Sequence, residues 1–153
     1  MDTNSTLTNK ISDDTIKLLR ECDAGIKMGI EAINEVVNSV KDCKLKKILT
    51  DSRDKHDRFQ EEATELLHEY HDEGKEPGMM AKGMSWLKTN MKMTMDSSDS
   101  TVADLITDGC DMGIKSLNRY LNQYKTANDK AKKLTDKLLK EEENLREEMK
   151  AYL

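Results

Sequence analysis

The sequence predicts an all-α fold, an antiparallel four-helix bundle made from a duplicated helical hairpin. The first observation is a repeat: the phrase Cys22–Lys27 recurs with one substitution as Cys110–Lys115, 88 residues further on. The second is that apolar residues recur at helical spacing around both copies. Composition agrees, because 4% aromatic residues, one proline and ten methionines favour helices over sheets.

A chain of 153 residues fits one domain, and folding at that length buries enough surface for a stable core without disulfides or a structural metal. We expect residues 1–11 to be a flexible lead-in and residues 12–153 to form the bundle. Within the bundle, the first hairpin spans about residues 13–72, the crossover about 73–100 and the second hairpin about 101–152.

The first helix is predicted to begin at Ser12-Asp13-Asp14, which offers an N-cap and acids for the first turn. At 100° per residue one apolar stripe forms, while Glu31 falls opposite it and should face solvent. The stripe contains Leu18, Cys22, Ile26, Ile33, Val36, Val37 and Val40.

Three further helices follow from the same periodicity. The second ends before Gly74 and Pro77, and the third opens at a capping-box variant, Thr101 with Asp104. A break near Ala127-Asn128-Asp129 starts the fourth. The second stripe is Leu45, Ile48, Ser52, His56, Phe59, Ala63, Leu66 and Tyr70; the third is Ile106, Cys110, Gly113, Ile114, Leu117, Leu121 and Tyr124; the fourth is Ala131, Leu134, Leu138, Leu145 and Tyr152.

The crossover is rich in methionine, and its spacing predicts a short amphipathic helix there. Thioethers could bind Cu(I), but Met also fills adaptable interfaces, and the crossover lacks a tight Met-x-x-Met repetition with His. We therefore interpret it as a packing or association surface with Trp86 as an anchor. The interface residues we predict are Met80, Met84, Trp86, Leu87 and Met91.

The glycines inside the predicted helices indicate close packing. Each costs about 1 kcal/mol relative to Ala in a helix interior. Gly25 and Gly113 hold the same repeat position on the inward face, where a missing side chain lets another helix approach.

Composition also limits the function classes. A formal charge of −5 with interleaved acids and bases argues against nucleic-acid binding. No apolar run approaches the ~20 residues that span a bilayer, and the polar N-terminus does not resemble a signal peptide. Three cysteines without close pairing fit reduced thiols, so we expect a cytoplasmic protein.

The chain resembles the ferritin-like superfamily and, more narrowly, small bacterial ferritin-like proteins of unestablished function. The Cys-Asp-x-Gly phrase in helices one and three and the element Gly83-Met84-Ser85-Trp86-Leu87-Lys88 carry the resemblance. It covers roughly residues 13–150 and implies a four-helix bundle with one crossover. For members that oxidise or store iron it implies a di-metal site, in which each hairpin supplies a Glu and a Glu-x-x-His.

That ligand set is incomplete in this sequence. Arg53 stands where a Glu should precede His56, and the repeat aligns His56 with Glu141. Glu31 has Arg119 as its repeat counterpart, a cation that would repel a metal. Iron or manganese therefore has as candidate ligands His56, Glu141, Glu142, Asp23 and Asp111. The competing interpretation is a core histidine that is hydrogen-bonded to Glu141 or Glu142 across the bundle.

Two hypotheses for function follow. The first is a non-enzymatic bundle that acts through protein association, most simply as a homo-oligomer, with no small-molecule substrate identifiable. The second is a metal-binding or redox protein with a reduced site around His56 and Glu141/Glu142. Cys22 and Cys110 occupy equivalent core positions, and a redox pair there would need Cα atoms within about 7 Å.

Overall fold

The computed structural model describes residues 3–74 and 98–153. These residues form four α-helices and no strand: α1 (Thr3–Val37), α2 (Cys43–His68), α3 (Asp99–Gln123) and α4 (Asp129–Met149), followed by a 3-10 turn (Lys150–Tyr152). The predicted all-α class and the four helices are confirmed. The Met-rich segment, with its predicted helix and interface residues, lies outside the described residues.

The helices form a bundle in which α1 and α4 each pack against the other three. Contacts at both ends set the directions. Asp14 on α1 accepts hydrogen bonds from Thr126, which follows α3, whereas Asp99 at the start of α3 accepts from the backbone of Lys41, which follows α1. Helices α1 and α3 are therefore antiparallel. Ser52 bonds Glu141 while Lys137 bonds Glu62, so α2 and α4 are antiparallel as well.

Three of the four helices begin at a polar cap. Asp42, Ser98 and Asn128 each accept a hydrogen bond from the backbone N–H three residues later. The predicted Thr101–Asp104 capping box is replaced by Ser98, whose hydroxyl accepts from Thr101 N at 3.2 Å. The predicted break before α4 is confirmed at Asn128.

The start of α1 differs from the prediction. The helix runs through Ser12-Asp13-Asp14 and continues back to Thr3, so residues 3–11 are helical where a flexible lead-in was expected. Asp14 does not cap its own helix. Its carboxylate bonds the backbone N–H and hydroxyl of Thr126, and this hydroxyl bond is the main reason the pKa of Asp14 lies below its usual range.

The core divides into two apolar clusters, one towards each end of the bundle. All seven residues of the predicted α1 stripe are buried, and so are Ala131, Leu134, Leu138 and Leu145 of the α4 stripe. The α2 and α3 stripes were less accurate: Leu49 and Leu67 are buried but were not in the α2 stripe, and Val102, Ala103 and Leu105 were missed on α3. Between the clusters α2 and α4 place polar side chains, which are the residues of the candidate site.

Candidate functional site

A layer of polar groups joins α2 to α4 in the middle of the bundle. His56 is 1% exposed, and its Nε2 lies 3.0 Å from Glu142 Oε1 while its Nδ1 lies 2.8 Å from the Ser52 carbonyl. One turn away, the Ser52 hydroxyl donates to Glu141 Oε1 at 2.9 Å, and Lys55 pairs with Glu141 Oε2 at 3.1 Å. The His56 interpretation as a core histidine bonded across the bundle agrees with this geometry, with Glu142 as its partner.

The protonation state of His56 follows from these partners. A carbonyl only accepts hydrogen bonds, so Nδ1 carries a proton, and a proton on Nε2 lets the ring donate to the Glu142 carboxylate as well. Burial acts to lower the pKa of His56, but the hydrogen bond and charge of Glu142 outweigh it and raise that pKa above 6.5. The geometry is therefore that of an imidazolium–carboxylate ion pair.

The two buried thiols are held in their neutral form. Burial raises the pKa of Cys22 to about 12, and the thiol lies 3.2 Å from the Thr135 hydroxyl. Burial together with the nearby Glu142 carboxylate raises the pKa of Cys110 still further. The thiols belong to different core clusters, so the structure does not bring Cys22 and Cys110 together as a redox pair. Cys43 is exposed.

The remaining metal candidates lie in separate ion pairs. Asp23 is 2% exposed, pairs with Lys27 at 2.7 Å and lies beside Gly74, past the end of α2. Asp111 is exposed and pairs with Arg146 at 3.0 Å. Within residues 3–74 and 98–153, no three His, Cys, Asp or Glu side chains come together in a group that could hold a metal ion. Of the five candidates, the structure joins only His56 and Glu142 directly.

A cavity of about 290 Å³ lies between α1 and α3 and reaches down to this polar layer. The antiparallel register brings Gly25 close to the height of Gly113 and Gly29 close to that of Gly109. All four glycines line the cavity, and its floor includes His56, Leu138, Glu142 and Leu145. This space could not be predicted from the sequence, because each helix alone shows only its own apolar stripe.

The close packing that we predicted at Gly25 and Gly113 is wrong for Gly25, whereas Gly113 does lie against a side chain of another helix. A Cβ added at Gly25 or Gly109 would meet nothing within 4 Å, so these positions border open space. At Gly113 an added Cβ would lie 3.3 Å from Glu142 Oε2. Gly29 alone meets a rigid neighbour: its Cβ would lie 3.0 Å from the His56 ring, which two hydrogen bonds hold in place.

Glu31 was expected to face solvent and does not. It is half-buried and lines the cavity, and its buried Oε2 has no hydrogen-bond partner among the described residues. Glu21 lines the same cavity beside Tyr120, whose pKa is raised first by burial and then by the Glu21 carboxylate. Three carboxylates, on Glu21, Glu31 and Glu142, therefore line a space whose wall is otherwise mostly apolar.

Comparison with family models, curated proteins and solved structures finds no match to this chain. In the described part of the chain, no helix is both long and apolar enough to cross a membrane.

Stability should depend on pH through the His56–Glu142 pair. The pKa of His56 is raised in the folded protein. The pair's contribution to the free energy of unfolding is therefore complete below 6.5, the pKa of His56 in the unfolded chain, and is lost as pH rises through the pKa of the folded state. We expect the free energy of unfolding from urea titrations to fall over that window. In Glu142→Gln the main cause that raises the pKa of His56 is gone and burial lowers it, so the free energy of unfolding should rise with pH instead of falling. His68→Gln, at an exposed position, is the matched control and should keep the wild-type profile.

Two glycine substitutions on α1 should have opposite effects. Gly25→Ala should raise the free energy of unfolding by about 0.5–1 kcal/mol, because Ala is the better helix former and its Cβ meets open space. Gly29→Ala should lower it by about 1 kcal/mol, because overpacking against the fixed His56 ring exceeds the gain in helix propensity. Chemical denaturation of both variants checks this. Equal stabilisation by the two substitutions would show that the ring moves freely.

Proposed function

We propose that this chain is a non-enzymatic, ferritin-like four-helix bundle that acts in the cytoplasm through protein association. The observation that carries the proposal is that the side chains of His56 and Glu141, both buried, already have internal partners. His56 is paired with Glu142, Glu141 with Ser52 and Lys55, and both buried thiols are neutral. These groups stabilise the contact between helices and provide no activated nucleophile or base.

The directions of the four helices support the ferritin-like part of the proposal. The end of α2 lies near the start of α1, where Arg20 pairs with Asp72, whereas the start of α3 lies near the end of α1, where Asp99 bonds Lys41. The ends that the crossover joins are thus at opposite ends of the bundle. Two hairpins joined by one long crossover are the topology of ferritin-like folds.

The N-terminal part of α1 supports association. Residues 3–10 are all exposed, and the helix continues past the α3–α4 turn, whose Thr126 contacts the Lys10 carbonyl. Leu7 on this extension is 54% exposed. A bare helix of two turns is marginal in water without packing. A second copy of the chain is the simplest partner, because two extensions packed antiparallel would each cover the other's Leu7.

Light scattering tests the association. The intact protein should have about twice the chain mass of 17.5 kDa, and Leu7→Glu should shift it towards a single chain. Leu153→Glu is the control: within residues 3–74 and 98–153, Leu153 is the second strongly exposed leucine, at 60%, and its substitution should leave the dimer intact.

A strict monomer at high concentration would overturn the association proposal. A dimer that survives Leu7→Glu but dissociates in Met84→Glu would keep the association and move the contact to the Met-rich segment that the sequence predicts.

Metal binding or redox chemistry around His56 and Glu141/Glu142 remains the alternative. The ammonium of Lys55 lies on Glu141 Oε2, so a cation already holds the oxygen that a metal would need. We expect protein purified after growth with iron or manganese to contain well under one metal equivalent per chain, as measured by elemental analysis. About two equivalents, lost in His56→Ala but kept in His68→Ala, would replace the leading proposal with the alternative.

A further inference from the structure

The cavity between α1 and α3 has the volume of a small-molecule site. Its 290 Å³ is about twice the roughly 150 Å³ of an engineered apolar cavity that takes up benzene. A molecule of about twelve non-hydrogen atoms would fit that space. Most of the wall is apolar or glycine, and it continues to Leu138 and Leu145 on α4, behind the two outer helices. A deep, mostly apolar space with a few polar groups is typical of ligand sites.

The charges of the wall select the kind of molecule. Glu21, Glu31 and Glu142 line the cavity, and none of the described lining residues is Lys or Arg. The basic side chain that the described part of the wall does contain, His56, is already paired with Glu142. The fixed charge that a ligand meets is therefore negative or balanced, which favours a cation and disfavours an anion.

Glu31 supplies the unused acceptor. Its buried Oε2 has no hydrogen-bond partner among the described residues. A buried acceptor without a hydrogen bond lowers the stability of the folded protein. An ammonium group can donate three hydrogen bonds, and a charge-assisted bond to a carboxylate is among the stronger ones. An apolar molecule that carries one amine would satisfy both the wall and this oxygen.

We propose that the glycine-lined cavity between α1 and α3 binds a small apolar amine, with the ring or alkyl body against the glycines and the ammonium on Glu31. This goes beyond the proposed association, which uses the α1 extension and not the cavity. A protein that dimerises but binds no amine would contradict the cavity proposal alone. A monomer that binds the amine would contradict the association proposal alone.

A matched set of naphthalenes tests the proposal on the full chain at about pH 7. The amine 1-naphthylmethylamine, the alcohol 1-naphthalenemethanol and the acid 1-naphthoic acid share one body and differ in the head group. In calorimetric titrations we expect the amine to bind at least about tenfold more tightly than the alcohol, and the acid to bind no better than the alcohol. No binding of the amine, or equal affinity for amine and alcohol, would overturn the proposal.

Two kinds of variant separate the charge from the space. Glu31→Gln should weaken the binding of the amine about tenfold and leave the affinity for the alcohol unchanged. Glu35 is an exposed carboxylate on the same helix, and Glu35→Gln should change neither affinity. Gly25→Leu and Gly109→Leu should each abolish binding of all three compounds by filling the cavity. Both should fold, because Leu is a better helix former than Gly and the first added atom meets nothing within 4 Å.

If Glu31→Gln leaves the affinity for the amine unchanged, the ammonium does not bind Glu31 and that assignment is wrong. Binding that survives both leucine variants would place the ligand elsewhere. If no naphthalene binds and Gly25→Leu instead lowers the mass seen by light scattering, the cavity belongs to a second copy and the amine proposal is wrong.

Discussion

The buried ion pair between His56 and Glu142 is the constraint on which the middle of this bundle depends. A charged pair in a core is stable only if its geometry is good and its other polar atoms are satisfied, and here the Ser52 carbonyl accepts the hydrogen bond from His56 Nδ1. The pair fixes the register of α2 against α4, since a shift of one residue would separate the ring from the carboxylate. It also divides the apolar core into two clusters.

The same pair explains why α1 has a glycine opposite His56. The His56 ring extends from α2 towards α1, and Gly29 is the residue there because any side chain would meet the ring at 3.0 Å. Gly25, one turn earlier, has no such neighbour and borders the cavity. Two glycines in one helix, at a spacing that sequence reasoning treats alike, thus have different causes. One makes room for a fixed ring, and the other leaves a space open.

Helical periodicity predicted the class and most of the core, because burial of one face is a property of each helix alone. It predicted the helix ends less well. Asp13 and Asp14 look like a cap, but the Asp14 carboxylate bonds Thr126 from another part of the chain, and nothing local in the sequence shows that. Glu31 was placed in solvent because it lies opposite the Cys22 stripe. A single buried face does not describe α1, which packs against three neighbours and borders the cavity that lies between it and α3.

The duplicated phrase shows how far repeat symmetry extends into the site. Cys22 and Cys110 are both buried, as equivalent positions should be, but Asp23 is buried and paired with Lys27 while Asp111 is exposed and paired with Arg146. A site that needs equal ligands from both hairpins has no basis in these contacts. The cavity needs no such equality, because Gly25 and Gly113 open the space from both sides while Glu31, whose repeat counterpart is Arg119, supplies an acceptor from α1 alone. Similar packing with dissimilar polar groups gives one asymmetric site between two related helices.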